Sequence, residues 1–307
     1  MNHSKFSLAD LLTVLGALTF GFFCFLSVNF LTLGDTVISV IWGVIISLIL
    51  GGLAFGAKLL KRTSSNFKTC IIWEWVLIFV FIVASLLSIF PFSHFFVVSA
   101  QQADIQQKIT SNIEEAEGLF LAYESYANDR LKMYNILLNS IVTAKDVNPD
   151  GYTKSGFVAG RDDQSQVENK MFSLKAELYP SNYAAMKSID STWLSNAKDY
   201  VINWSPTGIV KVVNTLKPEI SSWNQQLTSY STFRATGETK PPFDKELSFD
   251  DVSGIFTKST FPNLLGLIIG IGLNLIMLLS YFIANRHSRW PGFKVVFGKR
   301  SSKLNEL

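Results

Sequence analysis

Four stretches of this chain, residues 11–33, 36–57, 75–93 and 264–284, carry no Asp, Glu, Lys or Arg and are dominated by Leu, Ile, Val and Phe. At 23, 22, 19 and 21 residues they match the ~20 apolar residues that a helix needs to cross a bilayer. The third span begins near residue 71 once its flanking residues are included. These stretches predict an all-α integral membrane protein with four transmembrane helices. The polar stretch between the third and fourth predicts a large extracytoplasmic helical bundle. The expected division is 1–98 (N-terminal tail and spans at 11–33, 36–57 and 71–93), 99–262 (outer domain) and 263–307 (fourth span and basic tail).

Charge supplies the orientation. Lys5, four basic residues between spans two and three (Lys58, Lys61, Arg62, Lys68) and six in the C-terminal tail from Arg286 to Lys303 all flank the spans. The turn between spans one and two holds only Asp35. The positive-inside rule places both termini in the cytoplasm of a multi-pass cell-membrane protein. Residues 99–262, with 20 acidic and 16 basic side chains, then face outward, into the periplasm if the cell is bacterial. The first apolar run exceeds the length of a signal-peptide core and reads as a retained anchor. Cys24 and Cys70 both fall in or beside spans, so no disulfide staples the outer domain.

Within the spans, Ser7-Leu8-Ala9-Asp10 has the form of a capping box. Gly34-Asp35 predicts a helix stop followed at once by a new N-cap, making spans one and two a tight hairpin. Gly52 and Gly56 lie on one small-residue face of span two, with Gly16 of span one expected to approach it. Gly266, Gly270 and Asn274 step by four along span four, a helix-packing stripe whose amide needs a partner inside lipid. Glu74, between Trp73 and Trp75, reads as an interfacial carboxylate. His94 reads as an interfacial histidine, with a pH sensor as its functional alternative.

In the outer domain, apolar residues from Ile105 to Ile141 repeat at a mean of 3.6 and predict one long helix over about 100–144. Val167, Met171, Leu174 and Leu178 form a second face, and Ile189, Trp193, Tyr200 and Trp204 a third, split by Pro180. From Ile209 to Tyr230 the steps alternate four and three, a heptad seam either side of Pro218. Residues 236–247 read as a loop, and 147–153 as a short hairpin.

Asp146, Asn148 and Asp150, with Gly151, match the first positions of a calcium loop. Lys154 and Phe157 occupy positions that should be ligands, and Asn148-Pro149-Asp150-Gly151 is equally a turn sequence. The chain carries no HExxH, GxSxG or P-loop pattern, and no cofactor or nucleic acid is expected. The basic, aromatic C-terminal tail suits anionic lipid headgroups. The layout is similar to that of tetraspanins, but without their Cys-Cys-Gly motif the chain is not assigned to them.

These features favour a non-catalytic membrane subunit or scaffold, embedded in the lipid bilayer. Its outer domain would bind a protein partner in the envelope, or the chain would form a homo-oligomer through its spans. The alternatives are an envelope stimulus sensor that signals through a separate cytoplasmic partner, and a transporter or transporter accessory subunit. An enzyme is not expected.

Overall fold

The computed structural model describes residues 7–63, 67–258 and 261–285, and every regular element among them is helical. Lys5 and the basic tail from Arg286 onward lie outside the described residues. The chain divides into two compact units, Met1–Gln101 with Ile255–Leu307 and Gln102–Gly254.

The first unit contains α1 (Leu8–Leu31), α2 (Thr36–Arg62), α3 (Phe67–Ala100), α9 (Ser253–Thr257, which straddles the division), α10 (Leu264–Met277) and α11 (Leu279–Ile283). Three apolar helices, Leu8–Leu31, Thr36–Arg62 and Thr69–Ala100, are long enough to cross a membrane. Half of the apolar window of α1 is buried, against 28% for α2 and α3, so α1 is the central helix. The capping box forms: Ser7 Oγ accepts from Asp10 N while the Asp10 carboxylate accepts from Ser7 N at 2.9 Å. At the other end Leu33 and Gly34 take positive φ, and Asp35 Oδ1 accepts from Ile38 N at 3.0 Å, so the hairpin turns within a few residues. The 264–284 run differs from expectation. It breaks at Leu278 into helices of 14 and 5 residues.

The second unit contains α4 (Gln102–Thr143), α5 (Pro149–Lys154), α6 (Asp163–Leu178), α7 (Tyr183–Ile202) and α8 (Pro206–Ser231). Helix α4 is the spine, and α6, α7 and α8 all pack on it. Its buried face includes Ile105, Ile109, Ile113, Ala116, Phe120, Tyr123 and Ala127, the residues of the 3.6 repeat. The heptad seam of α8 is buried at Ile209, Leu216, Ile220, Trp223 and Leu227.

Two expectations are corrected here. The inward face of α7 is Tyr183, Asp190, Leu194, Ala197 and Val201, while Ile189 and Tyr200 are exposed. Two faces of α7 have the right period, and which of them is buried depends on its contacts with α4 and α8. Residues 149–154 form a helical turn and not a hairpin. Pro149 at the first helical position has its φ pre-set for that geometry.

Candidate functional site

The packing of the first unit rests on small residues, but not all of those the spacing singled out. A Cβ on Gly21 would meet Gly43 O at 2.5 Å, and one on Gly43 would meet Gly21 O at 2.8 Å. Ser47 Oγ donates to Ala17 O at 2.8 Å, and a Cβ on Gly51 would lie 3.2 Å from Ala17 Cβ. The α1–α2 contact is therefore Ala17-Gly21 against Gly43-Ser47-Gly51, close backbones bridged by one hydroxyl. Gly52 faces open space, so it takes no part in helix packing. Gly56 approaches Leu77 of α3 instead, and Gly16 approaches Leu273, Ile276 and Met277 rather than α2. Spacing of four along Gly43, Ser47 and Gly51 was the available signal. The Gly-Gly doublet at 51–52 obscured it.

The stripe on α10 lies against α3. A Cβ on Gly266 would meet Ser93 Cβ at 2.9 Å, and one on Gly270 would meet Ile89 Cδ1 at 2.9 Å. Asn274 Oδ1 accepts from Ser85 Oγ at 2.7 Å, and its Nδ2 donates to Gly270 O at 2.8 Å, so this mid-helix amide has partners at both atoms. Helix α3 is interrupted chemically at Pro91. One turn on, Phe95 N donates to Ser27 Oγ of α1 at 2.9 Å. The Ser27 hydroxyl also donates to Phe92 O at 3.4 Å, so it ties α1 to the turn of α3 that begins at the proline.

A polar cluster closes one end of this unit. Lys58 of α2 pairs with Asp10 of α1, both buried. Thr13 Oγ1 lies 2.9 Å from Met277 O and 3.0 Å from Ser280 Oγ, beside the break at Leu278. Lys61 Nζ donates to Tyr281 O at 2.7 Å, and Tyr281 OH to Glu74 Oε1 at 2.6 Å. The carbonyls around the break between α10 and α11 are thus met by side chains of α1 and α2, as apolar surroundings demand. Glu74, expected at an interface, is buried and bonded. So is His94, near the other end, whose Nε2 lies 2.8 Å from Phe256 O.

In the second unit, the candidate calcium residues form a helix start. Asn148 is the N-cap of α5, its Oδ1 accepting from Gly151 N at 2.9 Å, and Asp150 lies within the helix. Asp146 precedes the cap. Among the described residues no group of three His, Cys, Asp or Glu side chains is placed to share a metal ion.

A strap without regular secondary structure, residues 232–252, runs from α8 along α4, and sequence periodicity had nothing to say about it. Its anchor is Arg130, a fully buried side chain of α4. The guanidinium pairs with Glu238, donates to Phe233 O, and donates to Ser231 O at 2.6 Å. The Glu238 partnership holds Arg130 even more firmly charged than usual. Tyr126 OH donates to Pro241 O at 2.7 Å, and Phe243 N to Ser231 Oγ at 2.7 Å. Further along, Asn112 and Asp250 exchange two hydrogen bonds of 3.0 Å. Phe243 meets the Tyr123 ring edge-on at 5.2 Å. A buried arginine with a dedicated carboxylate and two carbonyls resists being pulled apart, because any loss strands a charge.

Compared with known protein families, characterised proteins and solved structures, the chain matches none.

Proposed function

We propose that this chain is a non-catalytic membrane subunit, with a rigid extracytoplasmic bundle that binds a protein partner. The observation that carries the reading is the surface of the second unit. Leu121, Met133 and Ile136 on α4, the helix to which Arg130 ties the strap, and Phe172 on α6, which packs on α4, are each more than half exposed. Large apolar side chains on a fixed scaffold suit recognition of a partner better than they suit water. The buried polar groups of both units are mostly committed to structural bonds, which supports a role without chemistry.

The accompanying topology is four spans with both termini cytoplasmic. Its support is the ladder between α3 and the 264–283 stretch: Gly266 at Ser93, Gly270 at Ile89, Asn274 at Ser85 and Tyr281 at Glu74. Those contacts run antiparallel through the same layer that α3 occupies. The basic residues Lys58, Lys61 and Arg62 lie at the Asp10 end, which the positive-inside rule assigns to the cytoplasm.

Photo-crosslinking residues placed at Ile136 and Phe172 in intact cells should give discrete protein adducts, whereas lipid-facing Ile45 should give none. An absence of protein adducts at both outer positions refutes the reading. For topology, Ser195→Cys should label from outside and Thr63→Cys should not, in a chain whose Cys24 and Cys70 are replaced by Ser.

A further inference from the structure

Asp190 sits on the inward face of α7, only 7% exposed, and its Oδ2 is buried with no hydrogen-bond partner among the described residues. The contrast is Arg130 in the same unit, also buried but paired with Glu238. Helix α7 packs on α4 and α8. From α8 the charged group that acts on Asp190 is Glu219, a second carboxylate. Lys211 of α8 lies further along the seam, in a groove with Trp193, Asn196 and Tyr200. From α4, Glu124 is already held by Lys187 of α7 and by Tyr183. The neighbouring layer is aromatic, with Trp223 5.8 Å from both Trp193 and Phe120.

We propose that Asp190 is a proton switch in the α7–α8 seam: protonated, it lets α7 close on α8, and ionised, it loosens that contact. A neutral carboxyl can stay in an apolar seam at modest cost. A carboxylate with a second acid nearby cannot, because its Oδ2 is shut away from any donor among the described residues and no counter-charge pairs with it there. The proton comes from the solvent outside the bundle and returns to it.

Burial, and secondarily Glu219, push the Asp190 carboxyl up to about 6. An acid whose folded value lies above its unfolded value of about 4 stabilises the bundle most at low pH. That advantage shrinks as pH rises from about 4 to about 6 and is gone above it. The outer unit therefore tightens on acidification. This is independent of the partner reading above, since Ile136 and Phe172 play no part in it.

The full chain in lipid nanodiscs provides the test, by hydrogen exchange of peptides from α7 and α8 at about pH 5 and about pH 7.5, corrected for intrinsic exchange. Trp193 and Trp223 fluorescence follows the titration. Protection of α7 should fall on the order of tenfold between the two conditions. Asp190→Asn should hold high protection at both, and Glu219→Gln should move the fluorescence midpoint to lower pH. A flat wild-type profile, a pH dependence that survives in Asp190→Asn, or a midpoint unmoved in Glu219→Gln overturns the switch. The Glu219→Gln arm decides the matter even if Asp190→Asn folds poorly.

Discussion

Asp10–Lys58 in the first unit and Arg130–Glu238 in the second are both buried ion pairs, and the two are built differently. Asp10 meets Lys58 between two apolar helices, and Ser7 also donates to Asp10 through both its backbone N–H and its hydroxyl. Arg130 meets Glu238 inside a polar-faced bundle and at the same time serves carbonyls on the end of α8 and on the strap. Losing Lys58 leaves Asp10 with two donors. Losing Arg130 leaves the buried Glu238 carboxylate with the Ala235 N–H in place of a charged partner, and takes a donor from the Ser231 carbonyl at the end of α8 and the Phe233 carbonyl of the strap at once. A pair's importance follows from what remains when one member is gone, more than from how deeply it is buried.

The largest expected effect follows from that difference. Arg130→Ala should destabilise the second unit by about 3–5 kcal/mol and open residues 232–252 to limited proteolysis. Lys58→Met should cost clearly less. Denaturation of the full chain in detergent, with cleavage mapped by mass spectrometry, compares them. Equal losses would mean that the Ser7 donors contribute nothing.

Next come the backbone contacts of the first unit. Gly21→Leu should separate α1 from α2 and cost at least about 1–3 kcal/mol, since beyond Ser47 Oγ, which can rotate away, its Cβ meets the backbone oxygen of Gly43, which has no rotamer to adopt. Gly270→Leu should cost less, because Ile89 Cδ1 is the far end of a flexible side chain. Asn274→Leu should cost least of the three, about 0.6 kcal/mol and up to ~2, the usual range for one interhelical hydrogen bond in lipid. Thermal melts of the three variants in one detergent read the order directly. An Asn274 variant that remains assembled but loses a transport activity would instead favour a polar path along α10.

A smaller effect separates a cap from a cation site. Asn148→Ala should lower stability by about 1 kcal/mol through loss of the bond to Gly151 N. Millimolar calcium should leave the melting temperature of both forms unchanged. A calcium-dependent rise that Asp150→Ala removes would restore the cation reading. The smallest effect belongs to Gly52→Ala: with open space around it, the change should be neutral or raise stability by under about 1 kcal/mol.

How far the sequence could be read differs between the units for one physical reason. In the second unit water distinguishes inside from outside, so the repeat from Ile105 to Ile141 identified the face of α4 that is buried. The same reasoning failed on α7, where Ile189 and Tyr200 continue an apolar period yet face outward. Asp190 takes the inward position, which no hydropathy pattern would assign to an acid. In the first unit every face is apolar. Leu48, Phe79 and Leu87 are exposed while Leu50, Phe81 and Ile89 are buried, and residue type does not tell the two sets apart.

The sequence by itself determined that long apolar helices would form, where the α1–α2 hairpin turns, and that the stretch between the third and fourth apolar runs is mainly helical. These follow from local rules: chain length against bilayer thickness, capping at Ser7 and Asp35, and period 3.6. Only the tertiary structure decided that Gly21 meets Gly43, that the fourth run breaks at Leu278 beside Thr13, and that Arg130 holds a strap more than 100 residues further along the chain. Those outcomes depend on which groups arrive opposite one another. A buried polar atom must find a partner wherever the fold brings one, at any distance in sequence.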